Sequence, residues 1–414
     1  MIFEQILSAI VRREHGKMLA GLIRRCGRFD LAEEALQDAY VKAHQQWLSG
    51  GVPDNTAAWL TTVAQHRLID VMRRETRTAM ESEEILLSLE SPPNHDEADN
   101  TRSSVDDDLL RLLFTCCHPA LSKAASTALA LRTLGGLSTK EIARAFVEPE
   151  ATTAQRLVRA KQKILKAGIP YQVPAEADLP ERLASVLAVV YFMFNEGYAS
   201  TAHGELLRID LCEEAIRLGH LVVQQLPQHA ECQGLLALMQ LHHARRAARI
   251  NADGVMVPLE AQDRSLWNHV MIRQSISLLD AAVLMRQPGA YQIQAAIASL
   301  HAQATNSEAT DWRQISLLYF SLLHYLPTPI IELNAAVALA MSADIDQGLA
   351  WIERIEAGQQ LDNYYLLPAA KADLFRRAGR IKEAADAYRA ALSLVTNPAE
   401  RFYLQHRLDQ CPSA

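Results

Sequence analysis

The stretch Leu137–Leu165, LSTKEIARAFVEPEATTAQRLVRAKQKIL, constrains the chain most. Ser138 and, three residues on, Glu141 form a capping box, in which each side chain satisfies a backbone N–H that the start of a helix leaves unpaired. Leu137, Ile142, Ala145 and Phe146 give that helix one apolar face. Pro149 and Glu150 mark a second start, because proline is tolerated in a first turn and disrupts a helix interior. From Thr152 to Lys166 the charged residues are Arg156, Arg159, Lys161, Lys163 and Lys166, with no acid among them. The spacing predicts a helix, a tight turn and a second, cationic helix fronted by small polar residues. A helix-turn-helix enters a major groove in this form. A basic helix can also be a solvated face; here capping, turn and charge asymmetry together favour nucleic acid.

A net charge of −7 over 414 residues looks unsuited to a polyanionic partner until it is divided along the chain. Residues 1–80 carry a net +2, residues 81–108 a net −9, residues 109–170 a net +7 and residues 171–414 a net −7. Charge is sorted by segment, and local charge decides an electrostatic footprint. The length allows two or three domains. No run of about 18 uncharged apolar residues offers a membrane span, and the N-terminal charges follow the apolar stretch, the reverse of a signal peptide. The six cysteines, Cys26, Cys116, Cys117, Cys212, Cys232 and Cys411, lack CxxC spacing and read as reduced core thiols of a cytoplasmic protein. Cys116-Cys117-His118 lies in an apolar helix and reads as core rather than as a metal site. No cofactor is expected.

The whole chain reads as all-α. Three helices are expected first: Ile2–Cys26, Leu31–Trp47 capped by Asp30, and Thr56–Arg74, with a loop over residues 49–55. Residues 81–108 are acidic, contain Pro92-Pro93 and hold too little apolar surface to order themselves, which predicts a linker. Residues 109–170 form a second small helical domain. Residues 171–414 are rich in alanine and leucine and punctuated by proline, with at most a short hairpin at Gly254–Pro258. Near the end, Ala372, Phe375, Gly379, Ala384, Tyr388 and Ala391 recur as small and aromatic positions that let two antiparallel helices pack in a tetratricopeptide unit. Weaker echoes at residues 211–227 and 329–355 suggest an α-solenoid or compact helical array.

Three pieces of the first 170 residues resemble a bacterial group IV, or extracytoplasmic-function, sigma factor. DLAEEALQDAYVKAHQQW, Asp30–Trp47, is similar to the region 2 helix that grips RNA polymerase. AWLTTVAQHRLIDVMRRETR, Ala58–Arg77, is similar to the helix that reads the −10 promoter element. The stretch from Leu137 is similar to the region 4 helix-turn-helix that reads the −35 element. The remainder resembles the subgroup that ends in a tetratricopeptide-like helical domain, through FNEGYAS (Phe194–Ser200), ALMQLHHARRAAR (Ala237–Arg249), LEAQDRSLW (Leu259–Trp267), TDWRQI (Thr310–Ile315) and LNAAVALA after Pro329. His66 stands where many relatives have asparagine, and Val147 where the turn glycine is usual.

The resemblance implies sigma region 2 at 1–80, an acidic linker at 81–108, region 4 at 109–170 and a regulatory helical domain at 171–414. It implies core RNA polymerase and promoter DNA as partners, no membrane, and an intramolecular contact between the C-terminal domain and the sigma regions. Glu33, Glu34, Gln37 and Asp38 would meet polymerase. His66, Arg67, Asp70, Arg73, Arg74 and Arg77 would serve the −10 element, with Arg73, Arg74 and Arg77 holding phosphates of the opened strand, although Asp70 also suits a simple pair with Arg73 or Arg74. The loop before Asn55 is where relatives lodge a flipped base. In region 4, Thr152, Thr153, Gln155 and Arg156 are placed to reach base edges, Arg156 foremost, and Arg159 and Lys163 to reach phosphates. The acids Glu90, Asp96, Glu97 and Asp99 are either tether or a mimic of RNA phosphates in the polymerase. Asn195, Glu196, Tyr198, Arg245, Arg249, Gln262, Asp263, Arg264, Trp267, Asp311 and Trp312 either line a C-terminal regulatory groove or form buried networks between helices. The alternatives are a helical-repeat scaffold with an incidental DNA-binding module, or an enzyme, for which no nucleophile elbow, phosphate loop or metal-ligand spacing is present.

Overall fold

The computed structural model describes residues 2–76, 100–146, 148–198, 209–251, 257–342 and 344–411. Among these the chain is all-α, with one isolated bridge at Ile250, where Val257 N–H donates to the Arg249 carbonyl at 2.8 Å. The expected hairpin falls largely outside the described residues. So do Arg77, Val147, Ala199, Ser200 and the acids Glu90, Asp96, Glu97 and Asp99. No helix among the described residues is long and apolar enough to cross a membrane. The chain divides into two compact units, Met1–Glu196 and Gly197–Ala414.

In the first unit, α1 (Ile2–Cys26), α2 (Phe29–Gly50) and α3 (Thr56–Thr76) form a bundle. Ala32, Ala35, Ala39 and Ala43 make a fully buried stripe on α2, so its backbone approaches its neighbours closely. Leu19, Leu22, Ile23, Leu60, Ala64 and Leu68 fill the space around that stripe. Asp30 does not cap α2: the N-cap is Arg28, and Arg28 Nη2 pairs with the Asp30 carboxylate at 2.7 Å inside the first turn. The reason is Gly27, whose φ of +66° ends α1 abruptly and lets the chain re-enter a helix at once. Trp47 and Trp59 meet edge to face, 5.2 Å between ring centroids, and Asn55 accepts from Ala58 N–H to cap α3.

Four further helices follow: α4 (Asn100–Cys116), α5 (Lys123–Thr133), α6 (Thr139–Ala145) and α7 (Glu150–Lys166). Helix α4 begins inside the segment expected to be linker. Its Asp108 is buried and bound by Arg24 of α1 and by Arg111, each at 3.0 Å. The three acids ending that segment therefore belong to a folded helix, because two arginines neutralise the one that is buried. Next comes α8 (Leu179–Tyr198), and the division between units falls within it, not at residue 171. Arg182 of α8 donates to the Phe114 carbonyl at 2.7 Å, and Phe192 stacks on Phe146.

The second unit continues with α9 (Ile209–Gln225), α10 (Ala230–His243), α11 (His269–Leu284), α12 (Ala290–Gln303), α13 (Trp312–Tyr325), α14 (Pro329–Ser342), α15 (Ile345–Ala357), α16 (Leu366–Arg377), α17 (Ile381–Leu394) and α18 (Pro398–Asp409). Sequential helices pack pairwise: α9 on α10, α13 on α14, α14 on α15, and α16 on α17. Ala372, Phe375, Ala384, Tyr388 and Ala391 are all buried in one apolar core, with Gly379 in the turn between α16 and α17. All six cysteines are buried and free of disulfides.

Candidate nucleic-acid interface

The capping box on α6 forms as its sequence dictates. Ser138 N–H donates to Glu141 Oε2 at 2.8 Å, and Glu141 N–H donates to Ser138 Oγ at 3.2 Å. Pro149 is the N-cap of α7. Between the two helices Glu148 acts as a hub that sequence reasoning missed. Its carboxylate accepts from Arg156 Nη1 and Nη2 at 2.5 and 2.6 Å and from the Thr153 hydroxyl. Thr153 is fully buried and cannot reach a base edge, which corrects its expected role. Arg156 lies 5.1 Å over the Phe146 ring and is held bidentate by Glu148. Its guanidinium ties the turn together through Glu148. Thr152, Gln155, Arg159 and Lys163 are exposed, and with Gln162 and Lys166 they fall at helical spacing on one open face of α7. Lys163 also donates to the Ala120 carbonyl.

On α2, Glu34 and Gln37 are exposed and Asp38 is half-buried, paired with Arg67 of α3. That pair joins a residue expected to meet polymerase to one expected to meet DNA. His66, Asp70, Arg73 and Arg74 are exposed on α3. Glu33 is 8% exposed and takes Lys161 of α7 and, at 3.6 Å, Arg132 of α5.

Glu33 lies in a seam between the N-terminal bundle and the helix-turn-helix. Besides the Arg24–Asp108 pair, the Tyr171 hydroxyl lies within hydrogen-bond distance of the Ala20 and Asp108 carbonyls, at 3.1 and 2.9 Å. Gly16 is close enough to Leu134 that a Cβ would stand 3.0 Å from its carbonyl oxygen. His15 is buried against Tyr40, Nδ1 to Oη 2.9 Å, and burial together with the Arg132 charge lowers its pKa to about 4. Sequence reasoning could not find this seam, because Glu33 and Lys161 lie far apart in the chain and each reads as an ordinary surface charge.

Residues 10–78 match the family Sigma-70 region 2, and residues 111–164 match Sigma-70, region 4. The chain therefore carries both sigma-70 regions, which supports an RNA polymerase sigma factor. Both modules are accounted for at once, which a scaffold with an incidental helix-turn-helix does not do, and these families are not enzyme families. Residues 182–283 match a family of unknown function, DUF6596. An uncharacterized protein of Rhizobium meliloti (strain 1021) is 42% identical over 394 residues, covering 94% of this chain and 92% of its own length. No solved structure matches.

In the C-terminal part of the chain, most of the polar residues singled out by sequence hold the fold. Asp263 caps the short helix Arg264–Leu266, accepting from Ser265 N–H at 2.9 Å, and Asp311 caps α13, accepting from Gln314 N–H at 2.9 Å. Arg264 closes the end of α12 by donating to the His301 and Ala304 carbonyls, 2.7 and 2.6 Å. Trp267 is buried between Arg264 and Arg245, at 4.5 and 5.9 Å from ring centroid to guanidinium. Arg249 lies 3.6 Å over the Tyr198 ring and donates to its carbonyl at 2.7 Å. Gln262 donates to the Val257 carbonyl, and Trp312 meets His301 edge on. Asn195 is exposed, and burial raises the pKa of Glu196. Of this set Arg245 lines one cavity, and Arg264 and Trp267 line another. Among the described residues no group of three or more His, Cys, Asp or Glu could hold a metal ion. Cys116 bonds Thr133 at 3.2 Å, and burial keeps its thiol protonated, with a pKa of about 12.

Proposed function

We propose that this protein is a cytoplasmic, extracytoplasmic-function type sigma factor controlled by its own tetratricopeptide-like C-terminal domain. In this reading region 2 meets core polymerase through Glu34, Gln37 and the Asp38 side of α2, and reads the −10 element with α3. Region 4 reads the −35 element with Thr152 and Gln155, while Arg159 and Lys163 take phosphates. The observation that carries the reading is the open basic face of α7 beside a seam closed by Glu33. A sigma factor must engage two separated promoter elements together, so its two regions part on polymerase. The seam is built of groups that can change partners: Glu33 toward polymerase, Lys161 toward DNA phosphate. Helix α8 supports C-terminal control, since Arg182 and Phe192 lie within the matched C-terminal family yet touch Phe114 and Phe146 of region 4.

In vitro transcription with core RNA polymerase tests the proposal. Promoter-specific transcripts are expected from the full chain, and from Lys161→Ala with tighter binding to core enzyme. A chain that starts no transcript on any fragment of the source genome overturns the sigma reading. Equal output from the full chain and a chain truncated after Pro170 overturns only the C-terminal control.

A further inference from the structure

In the C-terminal unit, α10, α12, α13 and α14 line a cavity of about 260 Å³. Leu238, Ile297, Leu322 and Ile331 make its walls apolar, and Arg245 supplies its charge. Arg245 spends a single nitrogen on the protein: Nη2 lies 3.0 Å from the Tyr198 hydroxyl and 3.0 Å from His242 Nδ1. Its Nη1 and Nε donate to no acceptor among the described residues, which leaves the guanidinium fork available beside the cavity. Neither Arg245 nor its neighbours Arg249 and Arg264 is paired with a carboxylate among the described residues. Their partners are main-chain carbonyls, a phenol, an imidazole and aromatic rings. A half-buried cluster of like charge is unfavourable, and an anion relieves it. His301 lines the same cavity, and burial and Arg245 keep it neutral at physiological pH.

We propose that this cavity binds a small monocarboxylate with an apolar body. The carboxylate takes the open edge of Arg245 in charge-assisted hydrogen bonds, and the body lies against the aliphatic wall. One guanidinium among apolar side chains suits a singly charged group better than a phosphate dianion. The volume admits a ligand of about ten non-hydrogen atoms, smaller than a drug-sized molecule. Occupancy rests on the geometry of this unit alone; its use as a signal rests on the C-terminal control proposed above.

Isothermal titration calorimetry on the full-length protein with octanoate, octanamide and inorganic phosphate tests the site. Octanoate is expected to bind saturably, about tenfold or more tighter than octanamide, and phosphate is expected not to displace it. Asn334 lies exposed at the edge of the cavity, so Asn334→Trp should block octanoate without lowering the melting temperature. Arg245→Met should weaken octanoate toward the amide. No saturable octanoate binding, equal affinity for octanamide, displacement by phosphate, or binding undiminished in Asn334→Trp overturns the proposal. Transcription assays do not enter these outcomes, so failure here leaves the sigma reading intact.

Discussion

Glu33 in the first unit and Trp267 in the second are both nearly buried, and each sits between two cations. Glu33 is gripped by Arg132 and Lys161, whose side chains are 22% and 26% exposed. Such a carboxylate can exchange its partners for other charges at modest cost, because water already solvates the cations. Trp267 lies between Arg264, tied to two main-chain carbonyls, and Arg245, held by the Tyr198 hydroxyl and His242. Removing the indole would leave a void that nothing nearby can fill. One region is held by bonds suited to exchange; the other is a fixed frame around a cavity.

The largest expected effect breaks the frame. Trp267→Ala should cost about 3–5 kcal/mol by the usual penalty for emptying a core aromatic site, read as loss of the second unit's transition in denaturant unfolding. A cost below about 1 kcal/mol would mean that the stack is peripheral.

Acidification should separate the two units next. His243 and His301 are lowered to about 4, and His242 and His220 are also lowered, burial being the first cause in each case. In the first unit the resolved shifts of this kind are at His15 and His118. A histidine whose folded pKa lies below the unfolded value near 6.5 leaves the unfolded chain binding more protons between the two values. Stability is therefore complete above that upper value and is lost as pH falls toward about 4. Scanning calorimetry across that window should show the second unit melting earlier, and parallel shifts would contradict the comparison.

A smaller effect belongs to the seam. Glu33→Ala should cost about 1–2 kcal/mol, discounted for the exposure of its partners, and adding Lys161→Ala should cost little more. Full additivity in that double-mutant cycle would show that the pair does not couple the two sigma regions. The subtlest test is on α7. Gln155→Ala should change promoter discrimination by about 1 kcal/mol, whereas Arg156→Ala should weaken all promoters alike through the turn. Electrophoretic binding to promoter variants distinguishes them, and selectivity lost only with Arg156→Ala would restore that residue as the base reader.

Much of the candidate site was legible because its signals are local. The capping box Ser138–Glu141, the start at Pro149 and the basic face of α7 all depend on residues within a turn or two of one another. The hairpin core at Phe375, Ala384 and Tyr388 was legible for the same reason. Asp30 failed as a cap because a glycine three residues earlier moved the helix start. The engagement of Thr153 and Arg156 was not legible, because Glu148, on the other side of the turn, takes both.

By itself, then, the sequence determined the helical class, the helix-turn-helix and the likeness to the sigma-70 regions, since periodicity, capping and charge are properties of neighbours along the chain. Only the tertiary structure decided that Glu33 meets Lys161, that Asp108 is folded rather than tethering, and that Arg245, bonded through Nη2 alone among the described residues, lies beside a cavity. Those facts depend on which distant groups compete for the same donor or acceptor, and burial settles that competition.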